Sequence, residues 1–335
     1  VITRRSARTA GLVALGVAVA VAGATSLAIG ARSLPLGSVW GALTSFDGGS
    51  EAEVIVRQLR VPRTLLALAV GAALGLAGAV MQGVTRNPLA DPGLLGINAG
   101  AATGVVFGLS VLGISSVLGT VWLALAGAAV AGVLVYGIGS AGRGGATPVK
   151  LAIAGAALSA LLASITAGLL ILDSATLDRY RFWAVGSVSG RELTVLAAVA
   201  PFLIVGAVLA LTSGRALDSM ALGDDVARAL GQKVVLARLL AATSMVLLCG
   251  AATAAAGPIW FVGLVVPHLA RGITGATHRW LLPYAALIGA ILLTAADVIG
   301  RIVARPGELE VGIVTAFIGG PVFIAFVRRR RIAEL

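Results

Sequence analysis

Charge-free apolar runs occupy residues 9–31, 64–85, 92–142, 151–172, 193–214, 239–267, 280–296 and 311–327. A helix crosses a hydrocarbon core of roughly 30 Å in about 20 residues. The run 92–142 is therefore too long for one crossing and predicts two helices joined by a turn at Gly113 to Ser116. The run 239–267 is interrupted at Gly257-Pro258, where proline removes a backbone donor and restricts its predecessor, so a second, shorter helix is expected to follow. The pattern predicts an all-α polytopic membrane protein with ten spans. Their expected positions are 10–31, 63–85, 93–112, 117–140, 149–172, 192–213, 235–256, 259–273, 280–302 and 309–327, with short amphipathic helices at 215–232. No internal duplication is visible, so residues 1–335 are read as one domain.

Composition agrees with this pattern. Hydrophobic residues make up 59% of the chain and charged ones 12%, with a mean hydropathy of +1.03, outside the range of soluble globular domains. A net charge of +11 would suggest nucleic acid in a soluble protein, but here the arginines punctuate apolar runs and read as topology signals. With ten crossings and both termini cytoplasmic, 16 of the 25 Lys and Arg face the cytoplasm. Without the short crossing at 259–273 the count becomes 12 inside and 13 outside, so ten crossings are favoured. Arg4-Arg5 followed by an apolar stretch also resembles a secretory signal, but a run of 23 residues with no small-x-small site predicts a retained first helix. Cys249 stands alone, and His268 and His278 are too few for a metal cage. Gly96, Gly100, Gly104 and Gly108, and likewise Gly71, Gly75 and Ala79, are spaced by four and read as packing stripes.

Four polar segments stand out. The first runs Arg57-Gln-Leu-Arg60-Val-Pro-Arg63 and resumes after the apolar span as Met81-Gln82 to Gly93. It puts three arginines outside, against the charge rule, and either lipid headgroups or an acidic protein partner would account for them. The second, Leu217 to Gly231, has Asp218 as an N-cap candidate, Met220, Leu222, Val226 and Leu230 at near-helical spacing, and Gly223 and Gly231 as breaks. It reads as two short helices forming a docking surface for a soluble subunit; Asp224 and Asp225 disfavour a helix lying on an anionic leaflet. The third, Gly257 to Arg271, places a proline-bounded helix beside a pathway, with His268 as a structural hydrogen-bonding residue or, alternatively, a proton relay. The fourth holds Asp297 and Arg301, four apart and so on one helix face, read as a neutralised pair near the outer surface. The chain contains no G-x-x-x-x-G-K-[ST] phosphate loop, so it is expected not to be an ATPase itself.

These segments resemble the FecCD family of ABC importer permeases, which serve ferric siderophores, haem and cobalamin. The resemblance rests on Arg60-Val-Pro-Arg63-Thr, Gly78-Ala-Val-Met-Gln82, Asn87-Pro-Leu-Ala-Asp-Pro-Gly93, Ala221-Leu-Gly-Asp-Asp-Val-Ala-Arg-Ala-Leu-Gly231, Gly257 to Arg271 and Gly307-Glu-Leu-Glu-Val-Gly-Ile-Val-Thr-Ala. Arg181 to Gly190, Cys249 to Pro258 and Arg305-Pro-Gly-Glu look most like the ferric-siderophore branch. It implies a type II ABC importer permease in a bacterial cytoplasmic (inner) membrane. Such a subunit pairs with a second permease subunit, identical or related, sits on two ATP-binding cassette subunits that hold ATP and Mg, and receives ferric siderophore from an extracytoplasmic binding protein.

The resemblance also implies roles for particular residues. Arg60, Arg63 and Arg301 would meet acidic residues of the binding protein. Leu217, Met220, Ala221, Leu222, Gly223, Asp224, Asp225, Arg228 and Gly231 would form the coupling surface for the ATPase. Asn87, Leu89, Thr147 and Pro148 would lie at a cytoplasmic gate, the last two in the less defined stretch Ala146-Thr-Pro-Val. Met81, Gln82, Pro258 and Trp260 would line the pathway; Trp260 departs from the small residue usual there, and packing is its simpler role. No cofactor is expected in this chain. The rival of another class is an ion-coupled secondary transporter, and a third possibility is a membrane scaffold.

Overall fold

The structure is a computed structural model that describes residues 5–30, 34–44, 50–141 and 147–328. Arg4, Arg32, Arg143 and Arg329 to Arg331, which enter the charge count, and Ala146 lie outside the described residues. The described residues form α1 (Arg5–Ala28), α2 (Leu36–Thr44), α3 (Glu51–Val54), α4 (Val61–Thr85), α5 (Ile97–Ser110), α6 (Val117–Ser140), α7 (Pro148–Leu172) and α8 (Ser174–Ala184). There follow α9 (Leu193–Thr212), α10 (Gly214–Ala221), α11 (Asp224–Ala229), α12 (Val234–Ala256), α13 (Val262–Thr274), α14 (His278–Val303) and α15 (Val311–Arg328). Among the described residues, seven helices are long and apolar enough to cross a membrane: α1, α6, α7, α9, α12, α14 and the continuous helix Glu51–Thr85 that contains α4. Three more, α5, α13 and α15, are apolar but shorter.

Local chemistry explains where these helices start and stop. The long run 92–142 divides into α5 and α6 through Gly113, at φ 66°, and Ser116, whose hydroxyl accepts from Gly119 N. The break at Gly257-Pro258 is wider than the sequence suggests. Gly257 and Phe261 both hold positive φ, and α13 begins only at Val262 rather than near 259. The segment around Arg57 is helical instead of a loop. Ser50 caps α3, and a π-helical turn over Ile55–Arg60 carries the chain into α4, where Pro62 sits in the first turn and needs no donor. Two short helices, α2 and α8, were not expected; α8 is signalled by Asp173, whose carboxylate accepts from Ala175 N.

The bundle is organised around α4, against which α14, α12 and α13 all pack. Gly71 and Gly289 make the α4–α14 contact possible. A Cβ on Gly71 would lie 2.3 Å from Gly289 O, and one on Gly289 would lie 2.2 Å from Gly71 O. Gly100 meets Gly127 O of α6 in the same way at 2.3 Å, so both glycine stripes contain backbone contacts, although Gly96 itself forms the turn before α5. Apolar packing between such stripes substitutes for a hydrophobic drive that lipid does not supply. Exchanging Gly71 for Val should force α4 and α14 apart, at a cost of about 1–3 kcal/mol. Thermal unfolding in detergent should show a lowered midpoint for that variant, and an unchanged midpoint would contradict the close contact.

Candidate functional site

At the end of the bundle where α1 finishes, arginines do most of the organising. The last carbonyls of a helix have no partner within it and must find donors elsewhere. Arg60 Nη1 donates to Leu27 O (2.7 Å) and Ala28 O (2.8 Å), and Arg301 Nη1 donates to Ser26 O and Ile29 O, both at 2.9 Å. Arg305 Nη2 donates to Gly30 O at 2.6 Å. Three guanidiniums thus cap one helix C-terminus, where positive charge also complements the helix dipole. Arg57 does the same for α2, donating to Ala42 O and Leu43 O.

Asp297 ties this end together. Its carboxylate accepts from Arg63 Nη2 at 2.8 Å and pairs with Arg301 Nη2 at 2.9 Å, the i,i+4 partner expected from the sequence. Arg63 Nη1 also reaches Glu308 and, at 3.1 Å, Ser189 Oγ. Asp297 is fully buried and Arg301 is 2% exposed. The three arginines expected to meet a partner are therefore engaged inside the subunit. Arg60, Arg63 and Arg301 nevertheless border one cavity of about 730 Å³, together with Arg191, Glu192 and Glu308.

The opposite end carries the loop between α9 and α12. Leu217, Met220 and Ala227 are buried under it, whereas Leu222 (64%), Val226 (46%) and Leu230 (61%) are exposed. The expected apolar face therefore splits, with Met220 turned inward and three side chains left uncovered beside exposed Asp225 and Arg228. Ala221 and Gly223 are partly exposed and Gly231 is exposed; Gly223, at φ 106°, makes the corner between α10 and α11. Two carboxylates anchor the loop. Asp224 pairs with Arg86 of the α4 C-cap and with Arg238 of α12, each at 2.7 Å.

Asp218 does not cap its own helix. It accepts from His278 N (2.6 Å) and is bonded to His278 Nδ1 (3.0 Å), so it caps α14 from sixty residues away. Burial raises the Asp218 carboxyl, but the bonds from His278 outweigh it and hold its pKa below the ordinary value. A depressed folded pKa contributes stability above the usual carboxylate range and loses it as pH falls through the folded value.

The remaining predicted residues sit between these ends. Met81, Gln82 and Pro258, expected along the pathway, are enclosed by the subunit itself. Gln82 donates to Leu264 O and accepts from Arg271, which makes it a brace between α4 and α13. Trp260 was expected to fill packing space, yet it is 49% exposed and is the one member of that set on the surface. Asn87 accepts from Leu89 N (2.9 Å), closing a tight turn that leaves Asn87 exposed and Leu89 partly covered. Pro88 O lies 2.9 Å from His268 Nε2, so His268 fastens this turn to α13. Thr147 caps α7 through Lys150 N, and Pro148 takes its first position.

Comparison with known proteins places this geometry in a family. The profile of the FecCD transport family matches residues 17–329. The chain is 49% identical to the ferric enterobactin transport system permease protein FepD of Escherichia coli (strain K12), over 92% of each chain. It is 45% identical to the probable siderophore transport system permease protein YfiZ of Bacillus subtilis (strain 168), over 87% of each. A solved inward-facing structure of an ABC transporter assigned to the metal-chelate type superposes with a TM-score of 0.83 at 28% identity, covering 96% of this chain and 99% of that one.

Removing the charge of Asp297 tests the buried network. Asp297→Asn should leave Arg301 without a carboxylate partner and Arg63 with Glu308 alone, destabilising the subunit by about 3–5 kcal/mol. Unfolding of the purified protein measures this, and a loss under about 1 kcal/mol, as for an exposed pair, would contradict the buried bridge.

Proposed function

The chain belongs to the FecCD transport family, and on that premise we propose that it is the membrane-spanning subunit of an ATP-driven importer that carries a ferric siderophore into the cytoplasm. The family is one of ABC transporter permease subunits, and its relatives here serve iron chelates. In this reading ten crossings, the seven long helices and the three short apolar ones, leave both termini cytoplasmic. A second permease subunit pairs with it, and two separate ATPase subunits bind ATP and Mg.

The observation that carries the proposal is the α10–α11 loop. Leu222, Val226 and Leu230 are exposed at its tip, while Asp218 and Asp224 bind its base to three other helices. A surface that is apolar outside and rigidly fastened inside suits a protein partner whose movement has to be transmitted. The ATPase is that partner in our reading, and the braces from Asp224 to α4 and from Asp218 to α14 carry its motion into the bundle. Asn87 and Leu89, at the end of α4, with Thr147 and Pro148 at the start of α7, form the cytoplasmic gate, and Trp260 faces the pathway.

At the other end, the cavity bordered by Arg60, Arg63 and Arg301 receives the binding protein's acidic residues. Both terminal nitrogens of Arg301 are committed to Asp297, Ser26 and Ile29, so in this reading it acts by positioning Arg63. Haem and cobalamin permeases belong to the same family range, and a haem or cobalamin cargo is the second reading; the identities to FepD and YfiZ favour a siderophore.

Two experiments follow. Leu222→Asp and Val226→Asp, both on exposed positions, should each weaken ATPase association by roughly 1.5–3 kcal/mol, the worth of one buried apolar side chain. Co-purification reads this, and full retention of the ATPase by both variants would refute docking at this loop. Arg60→Glu should weaken binding-protein association and flatten its salt dependence, whereas unchanged affinity would remove the cavity from the docking site.

A further inference from the structure

A second basic cavity lies at the end of the bundle that carries α10 and α11. Its volume is about 710 Å³, and Arg5, Arg8, Arg215 and Arg279 line it with Thr277 and Trp280. These four guanidiniums come from the first turns of α1, α10 and α14. No carboxylate is among the described residues that line it. Asp218, bonded to the backbone and ring of His278, also pairs with Arg279 at 3.4 Å, so the four guanidiniums still carry a net positive charge. Four like charges around one space create a field that draws in an anion.

The apolar part of the wall shows what kind of anion. Leu12 and Pro283 complete the lining about a turn further along α1 and α14. Helix α1 buries only Gly23 and Ser26 among its own residues, so its flank, and the cavity mouth beside it, faces the surroundings of the bundle. The Arg8 guanidinium lies 5.8 Å from the Trp280 ring centroid and donates to Thr274 O, which fixes it across the mouth. Cations at the rim, an indole at interface level and an apolar floor continuing toward the chain-facing side match an amphiphile with an anionic head. We propose that this cavity binds the phosphate headgroup of an anionic phospholipid of the cytoplasmic leaflet, with the guanidinium forks on the phosphate oxygens and the first part of an acyl chain along Leu12 and Pro283.

The site adjoins the coupling loop, because Arg279 and Arg215 belong to the two helices that Asp218 joins. A bound headgroup would therefore screen the charge beneath α10 and hold α1, α10 and α14 together. The proposal rests on that end of the bundle being cytoplasmic, but the test below requires neither ATPase nor transport.

The full chain is purified in neutral detergent and given phosphatidylglycerol, phosphatidylcholine or inorganic phosphate. Native mass spectrometry counts retained lipid, and thermal unfolding reads stabilisation. Phosphatidylglycerol should be retained and should raise the unfolding midpoint, phosphatidylcholine much less. Arg5→Gln with Arg215→Gln should lower the apparent affinity for phosphatidylglycerol at least about tenfold, at roughly fivefold per arginine. Arg5→Gln alone, at an exposed position in the first turn of α1, provides the measurement should the double variant unfold, and should weaken binding roughly fivefold. Equal retention by the variants, or equal retention of phosphatidylcholine, would overturn the proposal. So would a full shift from inorganic phosphate alone, which would indicate a small-anion site.

Discussion

Charge buried in a membrane bundle or beneath its loops needs partners within the subunit, and three carboxylates meet that constraint in the same way. Asp297 lies between Arg63 and Arg301, Asp224 between Arg86 and Arg238, and Asp218 between His278 and Arg279. Each ties together helices remote in sequence. Asp297 locks α4 to α14 at one end, while Asp224 and Asp218 lock α10 and α11 to α4, α12 and α14 at the other. The middle is packed through Gly71 and Gly289 and braced by Gln82 between α4 and α13. The ends are fastened by a few ion pairs, and both surfaces proposed to meet partner proteins are built on them.

This alters the meaning of the arginines that violate the positive-inside pattern. Read from the chain alone, they called for headgroups or an acidic partner. The structure adds a third demand, the unsatisfied carbonyls at the ends of α1 and α2, which Arg57, Arg60, Arg301 and Arg305 meet. Capping and docking are compatible for Arg60, and Arg63, paired with Asp297 and Glu308, borders the same cavity. For Arg301, buried with both terminal nitrogens bonded inside the subunit, the proposed role is indirect.

What could be read in advance follows from the range of the interactions. Local signals were legible: the glycine stripes, the break at Gly257-Pro258, the turn near Gly113, and the Asp297–Arg301 pair one helical turn apart. The family resemblance agreed with the FecCD match because its motifs are dense along the chain. Long-range partners were not legible. Asp218 looked like a cap for its own helix because the donor it serves, His278 N, lies sixty residues on. Arg86 and Asp224 sit in separate motifs with nothing in either to announce the pairing. Packing roles inside the motifs were not legible either: Gln82 braces α13, and Met81 fills the core.

The most direct measurement is uptake of a radiolabelled ferric siderophore into proteoliposomes that hold this permease with the proposed ATPase and binding protein. An ATP-driven importer accumulates iron only when ATP is present and continues when an ionophore collapses the ion gradients. Uptake that proceeds without ATP and stops with the ionophore would contradict the borrowed-ATPase reading and identify an ion-coupled carrier instead.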